Sequence, residues 1–271
     1  MREFLMAAGM AAAAGGVAAA QVKTTARAAA PFELGMASYT FREFPAEKAI
    51  EWTVRLGLKK IAFKEFHLKL DSTPEQIAST VAKVKAAGLD LYGGGVIYMQ
   101  NEAQVNNAFE YAKKAGMRVI IGVPNHDLLP LVEKKVQQYD IRVAIHNHGP
   151  GDKVYPTPQS AYERIAKLDR RIGLCIDVGH TMRSGIDPSE PAQKYADRLM
   201  DIHIKDCTAP TAEGQTIEIG RGIIDIPKFL RTLEKSKYTG SVSLEYEKDA
   251  KDPLPGAAES IGYLRGVLKA I

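Results

Sequence analysis

The chain has few cysteines, no long hydrophobic run and no excess of basic charge, and each shortage excludes a class of protein. Two cysteines, Cys175 and Cys207, are too few for a disulfide scaffold, and we expect no bridge between them. A formal net charge of +4 without a cluster of Lys and Arg excludes an extended nucleic-acid surface. Residues 93–95 are Gly-Gly-Gly, which lacks the spacing of a dinucleotide-binding loop.

The most apolar stretch, residues 4–20, is too short and too rich in Ala and Gly to span a membrane. Arg2 precedes it and three alanines end it, as in a secretory signal. Arg2, Phe4 and Leu5 resemble part of a twin-arginine export motif, with Met1 in place of the first Arg. We therefore predict a signal peptide and tether over residues 1–30, export to the periplasm, and no membrane insertion after cleavage. The alternative is a disordered Ala-rich tail.

From residue 31 onward, apolar strand patterns alternate with helix patterns eight times. Eight such units in about 240 residues match the size of a closed (β/α)₈ TIM barrel, typically about 250 residues. We therefore predict a single barrel domain over residues 31–271, with a helix over residues 188–197 after the sixth strand. The strands are expected over residues 32–38, 59–64, 89–96, 117–123, 142–147, 172–177, 199–205 and 240–245.

Four of these strands end in side chains that bind metals. The apolar run from Leu174 ends in Asp177 and His180, and the fifth, seventh and eighth strands end in the histidines and acids His146, His148, His203 and Glu245. The carboxyl ends of all barrel strands meet at one mouth, so these residues are expected to lie together. All six histidines of the chain fall at or just past a predicted strand end, which favours a shared site.

Side-chain alternation within the strands points the same residues inward. Asp201, His203 and Lys205 share one face of the seventh strand, opposite two isoleucines. Buried charges are costly unless they are paired or bind a metal. Imidazoles with carboxylates suit one divalent ion, Mn²⁺, Zn²⁺, Fe²⁺ or Co²⁺. His146 and His148 lie about 6.6–7 Å apart along a strand, so one of them takes the ligand position, and strand register favours His146.

At these strand ends the chain resembles the xylose-isomerase-like TIM-barrel superfamily, in its sugar phosphate isomerase/epimerase branch. The resemblance implies one metal held by an acid after the fifth strand, an Asp, a His and a Glu. It carries over to Asp177, His203 and Glu245, and His180 matches a family histidine near the substrate. His146 stands where the family has Glu, so the predicted metal ligands are His146, Asp177, His203 and Glu245.

The resemblance implies a divalent-metal-dependent enzyme that acts on a small carbohydrate through an enediolate. We expect Glu245 as general base, with His148 or His180 moving a proton. Lys205 either stabilises an oxyanion or forms a salt bridge to Asp201 or Asp206. Two further residues, Glu65 and His67, are expected to hold substrate hydroxyls.

The first prediction is an isomerase or epimerase, and the alternative is a lyase or hydratase. Isomerisation or epimerisation returns the proton, whereas a lyase or hydratase acting on 3-keto-glycosides breaks or forms a C–O bond through the same intermediate. The predicted export, and His146 in place of the family's Glu, favour the lyase or hydratase. An endonuclease-like hydrolase lacks enough ligands for three metals, and a non-catalytic sugar-binding barrel is a third alternative. The sequence gives no indication of oligomeric state.

Overall fold

In the computed structural model, which describes residues 30–271, eight parallel strands close into a barrel. Each strand pairs with its neighbours in chain order, and the eighth pairs with the first, which confirms the predicted (β/α)₈ barrel. The predicted export signal lies outside the described residues. The strands are β1 Glu33–Ala37, β2 Lys60–Phe63, β3 Asp90–Met99, β4 Val119–Pro124, β5 Arg142–His146, β6 Ile172–Asp177, β7 Leu199–Ile204 and β8 Ser241–Leu244.

Helices surround this barrel and bury its outer face. Their apolar residues pack on the strands in one continuous core. Among residues 30–271, every helix is too short or too polar to cross a membrane. The helices are α1 Ala46–Arg55, α2 Pro74–Ala86, α3 Glu102–Ala115, α4 Leu129–Tyr139, α5 Pro158–Ile165, α6 Val178–Arg183, α7 Ser189–Lys194, α8 Ile226–Lys235 and α9 Leu254–Ala270.

Local sequence signals set where several helices begin and end. Thr73 caps α2, and its hydroxyl accepts a hydrogen bond from the backbone N–H of Gln76 at 3.3 Å. Gly116 ends α3 with φ of 68°, a left-handed conformation that glycine adopts without a steric penalty. Gly57 and Gly88 end α1 and α2 in the same way. The glycines let the chain turn from the end of each of these three helices directly toward the next strand.

The segment after β6 differs from its prediction. The helix expected over residues 188–197 is shorter, because α7 ends at Lys194 and a 3₁₀ turn follows over Ala196–Arg198. Another helix, α6, begins directly at Val178. Asp177 caps it by accepting a hydrogen bond from the backbone N–H of His180 at 2.8 Å. The same Asp177 therefore ends a strand and starts a helix, which fixes its side chain at the barrel mouth.

Asp206 organises the long loop after β7. Its Oδ2 accepts hydrogen bonds from the backbone N–H groups of Gly220 at 3.0 Å and Gly222 at 3.1 Å. A Cβ at position 222 would lie 2.2 Å from Asp206 Oδ1, so only glycine fits there. The Gly-Arg-Gly turn at residues 220–222 is thus a structural feature of this loop. Arg221 points outward and pairs with Glu259.

Both cysteines are free and buried, which confirms the predicted absence of a bridge between them. Cys175 lies on β6, where its Sγ is 3.7 Å from the carboxylate of Asp201 in the neighbouring strand. Burial raises the pKa of its thiol well above the usual range. Cys175 is therefore an inert interior thiol.

A buried acid, Glu218, links the loop after β7 to the residues after β8 and leads to a stability prediction. It accepts hydrogen bonds from Tyr246 Oη at 2.7 Å and Lys248 Nζ at 2.9 Å. The bond from Tyr246 lowers the pKa of Glu218 to about 2, against the effect of burial. Since the folded-state pKa lies below the unfolded value, this carboxylate stabilises the fold at neutral pH, and the contribution is lost as pH falls.

We expect Glu218→Gln to lower the free energy of unfolding at pH 7 by about 2 kcal/mol. The difference from the unsubstituted protein should narrow between about pH 5 and pH 3. Denaturant titrations at several pH values measure it. Glu51→Gln is the control, because Glu51 forms one exposed pair with Lys48 and should change stability by less than about 1 kcal/mol. An equal effect of Glu218→Gln at pH 7 and pH 3 would contradict the prediction.

Candidate functional site

A cavity of about 290 Å³ opens at the carboxyl ends of the strands. This is the face where TIM barrels place their active sites. Strand ends from both halves of the barrel contribute to it, so residues far apart in sequence meet there. Its lining residues are Tyr39, Lys64, Val96, Tyr98, His146, His148, His180, Glu245 and Glu247.

The four residues predicted as metal ligands lie together at the base of this cavity. One donor atom from each of His146, Asp177, His203 and Glu245 lies within 4.8 Å of the other three, and all four residues are buried. His146 Nε2 is 3.1 Å from His203 Nδ1 and 3.3 Å from Asp177 Oδ2. His203 Nδ1 is 3.2 Å from Glu245 Oε2. Pairing of Asp177 with His203 across β6 and β7 sets these two at one height.

This cluster fits one divalent ion. Atoms bound to one ion at about 2.0–2.2 Å lie about 3–3.6 Å apart, and three contacts in this cluster, at 3.1, 3.2 and 3.3 Å, fall in that range. The 3.1 Å contact between His146 Nε2 and His203 Nδ1 is a hydrogen bond when one of these nitrogens carries a proton, and both can bind one ion when neither does. Two imidazoles and two carboxylates are also a donor set for Mn²⁺, Zn²⁺, Fe²⁺ or Co²⁺. The residues can therefore hold such an ion, and their role as ligands stays a prediction.

Burial and charge set the protonation of the cluster. Burial lowers the pKa of His146 to about 3, so its imidazole is neutral and able to bind a metal. Burial raises the pKa of Asp177 and Glu245, but neighbouring positive charges outweigh it and hold both well below their usual range. Both acids are thus carboxylates at neutral pH. Burial lowers the pKa of His203, but the carboxylates of Glu245, Asp201 and Asp177 outweigh burial and raise it overall.

Lys205 neutralises part of this negative charge. Its Nζ lies 2.9 Å from Asp177 Oδ2 and 2.7 Å from Glu245 Oε2, and it also contacts Glu247. The predicted alternative pairing of Lys205 with Asp201 or Asp206 is wrong. Asp201 contacts Tyr92 inside the barrel, and Asp206 accepts backbone hydrogen bonds in the loop after β7. Three carboxylates around one ammonium leave an excess of two negative charges. A divalent ion would balance that excess.

His148 and His180 line the cavity wall above the cluster. His148 Nε2 is 3.0 Å from the hydroxyl of Tyr98, and its Nδ1 is 3.7 Å from Asp152 Oδ2. Burial and the neighbouring His180 lower the pKa of His148. Burial also lowers the pKa of His180, against the effect of Asp177. Both rings are therefore neutral near pH 7 and can exchange protons.

Glu65 and His67, predicted to hold substrate hydroxyls, are not among the residues that line the cavity. Strand β2 ends at Phe63, and Lys64 is the residue that reaches the cavity. Glu65 forms an ion pair with Lys64 at 2.6 Å, and its side chain is 43% exposed. Both ring nitrogens of His67 have partners in the fold, Ser38 Oγ at 2.8 Å and the carbonyl of Phe44 at 3.0 Å. His67 is thus a structural residue whose two ring nitrogens form hydrogen bonds within the fold.

Besides the apolar Val96, sequence reasoning missed four polar residues that line the cavity: Tyr39, Lys64, Tyr98 and Glu247. Strand β3 extends to Met99, three residues beyond its predicted end, and Tyr98 lies in this extension. Glu247 lies two residues after Glu245, and strand alternation is the signal that could have added it to the site. For Tyr39 and Lys64, the position just after a barrel strand was the available signal.

Asp201 lies inside the barrel beneath His203. Its carboxylate is 3.2 Å from the hydroxyl of Tyr92 and 3.9 Å from His203 Nε2. Burial raises the pKa of Asp201 to about 7. Asp201 faces Nε2 of the His203 ring, while Nδ1 of the same ring faces the metal-ligand cluster.

Comparison with known proteins agrees with the barrel fold. Residues 46–267 match the family model described as xylose isomerase-like TIM barrel. The rhizopine catabolism protein MocC of Rhizobium meliloti is 24% identical over 145 residues, covering 48% of this chain and 44% of MocC. Inosose dehydratase of Clostridium beijerinckii is 26% identical over 120 residues, covering 39% of this chain and 40% of the dehydratase.

The matches to these two relatives thus span less than half of each relative's length. A solved structure of L-ribulose 3-epimerase superposes with a TM-score of 0.70 at 14% identity, covering 88% of this chain and 95% of the epimerase, and so shares the fold. The match to the family model covers most of the chain and confirms the predicted resemblance. The chain belongs to the xylose isomerase-like TIM barrel family.

Proposed function

We propose that the protein is a divalent-metal-dependent lyase that eliminates water or an alcohol from a keto-sugar. The observation that carries the proposal is an asymmetry of the cavity. A carboxylate, Glu245, lies at the metal-ligand cluster, whereas the opposite wall offers the neutral pair of Tyr98 and His148. One group that accepts a proton and another that donates one suit elimination. One of the relatives supports it, since it is named a dehydratase.

Glu245 is the proton acceptor of this scheme. It is ionised, because the charges of His203 and Lys205 hold its pKa down, and its contact with Lys205 at 2.7 Å fixes its position. It lines the cavity, so it can reach a carbon next to a bound carbonyl. A divalent ion held by the four-residue cluster would supply a Lewis acid that polarises that carbonyl.

Tyr98 and His148 are the proton donors. Their contact at 3.0 Å lets a proton pass between the phenol and the imidazole, and the carboxylate of Asp152 lies 3.7 Å from the other nitrogen of the His148 ring. Tyr98 is 47% exposed, so the pair can regain its proton from solvent. The group that gives up a proton is therefore distinct from the group that takes one.

The reaction balances with these groups alone. Glu245 takes the proton from the carbon beside the carbonyl, and the released electron pair forms a C=C bond. The C–O bond at the next carbon breaks, and the leaving oxygen takes the proton from the Tyr98–His148 pair. The products are an unsaturated ketone and water, or an alcohol when the substrate is a glycoside.

Isomerisation or epimerisation of a ketose is the second candidate function. His180 favours it, because this second neutral imidazole on the cavity wall can return a proton to the substrate. Such a reaction keeps every C–O bond. The two candidates therefore differ in whether an oxygen leaves the substrate.

Incubation of the metal-loaded protein with a 3-keto-glucoside and with a free ketose in deuterated water separates them. We expect release of the alcohol and an unsaturated product from the 3-keto-glucoside. Tyr98→Phe should slow this release about 100-fold or more while deuterium exchange at the carbon facing Glu245 continues. Deuterated, epimerised ketose without elimination from the glucoside would instead establish the second candidate.

A further inference from the structure

The two sides of the cavity differ in chemistry. The metal-ligand cluster comes from β5 to β8, whereas the side formed by the ends of β1 to β3 is aromatic. Tyr39, Phe66 and Tyr98, here called the aromatic rim, follow or lie on these three strands. The rings of Tyr39 and Phe66 have centroids 6.0 Å apart. Tyr39 and Tyr98 line the same cavity as His146 and Glu245.

Two of the three rings of the aromatic rim are largely exposed to solvent. Phe66 is 42% exposed and Tyr98 is 47% exposed. Within residues 30–271, the other exposed large apolar side chains are Val54, Ile223 and Tyr263. Of these five side chains, Tyr98 lines the cavity and Phe66 lies beside the lining residue Tyr39, whereas the other three do neither. Exposed apolar surface gathered at a cavity marks a binding site. Aromatic faces favour flat apolar groups, against which they stack.

Neighbouring residues hold the rim in place before a ligand arrives. The guanidinium of Arg42 lies 5.0 Å from the centre of the Tyr39 ring and donates a hydrogen bond to the carbonyl of Glu247 at 2.6 Å. The hydroxyl of Tyr98 is tied to His148. Since the rings are already ordered, little conformational entropy is lost when a ligand stacks on them.

The charge of the cavity disfavours an anionic ligand. Among the described residues that line it, Lys64 is the one lysine or arginine, and it is already bound to Glu65 at 2.6 Å and to the carbonyl of Val96 at 2.5 Å. Glu245 and Glu247 add negative charge to the lining. Among the residues that line the cavity, a phosphate or carboxylate on the substrate would meet these acids without a free lysine or arginine to bind it.

We propose that the ligand is an uncharged glycoside whose flat, apolar aglycone stacks on the aromatic rim while its sugar faces the metal-ligand cluster. This inference rests on the proposed function, because the keto-sugar is the part that reacts. It adds that the leaving alcohol is aromatic, and that phosphorylated sugars are not substrates.

Calorimetric titration of the metal-loaded protein with methyl β-glucoside, phenyl β-glucoside and glucose 6-phosphate tests it. These compounds lack the keto group of the proposed substrate, so we expect them to bind without elimination. We expect phenyl β-glucoside to bind about tenfold tighter than methyl β-glucoside, and glucose 6-phosphate to bind more weakly than either. Phe66→Ala should reduce the tenfold preference to threefold or less with metal affinity unchanged. Tyr263→Ala, which removes an exposed ring away from the cavity, should keep the full preference.

Equal dissociation constants for the methyl and phenyl glucosides, or tighter binding of glucose 6-phosphate, would overturn the inference. Loss of the preference in Tyr263→Ala would overturn it as well. The turnover assay keeps the two proposals apart. Tighter binding of the phenyl glucoside without elimination would support the aromatic rim as a binding site and refute the lyase. Elimination with equal KM for methyl and phenyl 3-keto-glucosides would support the lyase and refute the role of the rim.

Discussion

Replacing His146 with alanine is expected to lower the affinity for a divalent metal by about 100-fold or more, whereas His148→Ala should keep the metal and lose turnover. His146 Nε2 lies 3.1 Å from His203 Nδ1, within the four-residue cluster. Even residues that only orient metal ligands change affinity by about 10–100-fold, so loss of a ligand should exceed that range. His148 lies outside the cluster and contacts Tyr98, so its loss should slow turnover by about 10²–10⁴.

Competitive titration of Mn²⁺ or Zn²⁺ against a fluorescent chelator measures the affinity of each variant. Turnover is then measured at metal concentrations that saturate each one. His126→Ala is a matched control, because His126 contacts the carbonyl of Val154 at 3.0 Å and does not line the cavity. Weak metal binding by His148→Ala, or full binding by His146→Ala, would show that this strand end has been assigned incorrectly.

Lys205→Met should destabilise the metal-free protein by about 3–5 kcal/mol, because three carboxylates lose the ammonium between them. An added divalent ion should restore more stability to this variant than to the unsubstituted protein, since it replaces the missing positive charge. The destabilisation should be largest near neutral pH. It should shrink as pH falls below about 5, because the unsubstituted protein then loses the stability of its depressed Asp177 and Glu245 carboxylates, while protonation relieves the repulsion in the variant.

Thermal unfolding in a chelator and in added metal, at about pH 4 and pH 7.5, gives these differences. Lys48→Met is the control, since Lys48 forms an exposed pair with Glu51 that contributes about 1 kcal/mol or less. Unchanged stability of Lys205→Met in the chelator would mean that the three carboxylates are neutralised by protonation. In that case Glu245 would not be available as an ionised base.

The sequence by itself determined the barrel and the strand ends that form the site. This information is local, since strand and helix periodicity require only short windows and parallel strands send their carboxyl ends to one mouth. Alternation then sufficed to point His203 and Lys205 inward together. The predicted export signal is equally local, but it lies outside residues 30–271 and stays a prediction.

Only the tertiary structure decided which side chains meet. Lys205 pairs with Asp177 and Glu245 because strand register sets the heights of three neighbouring strands, and no single strand contains that information. Tyr98 meets His148 from a strand two positions away around the barrel. His67 turns to Ser38 and Phe44, although its place after β2 matches that of the site histidines after their strands. Contacts between separate strands depend on register and tilt, which arise only when the barrel closes.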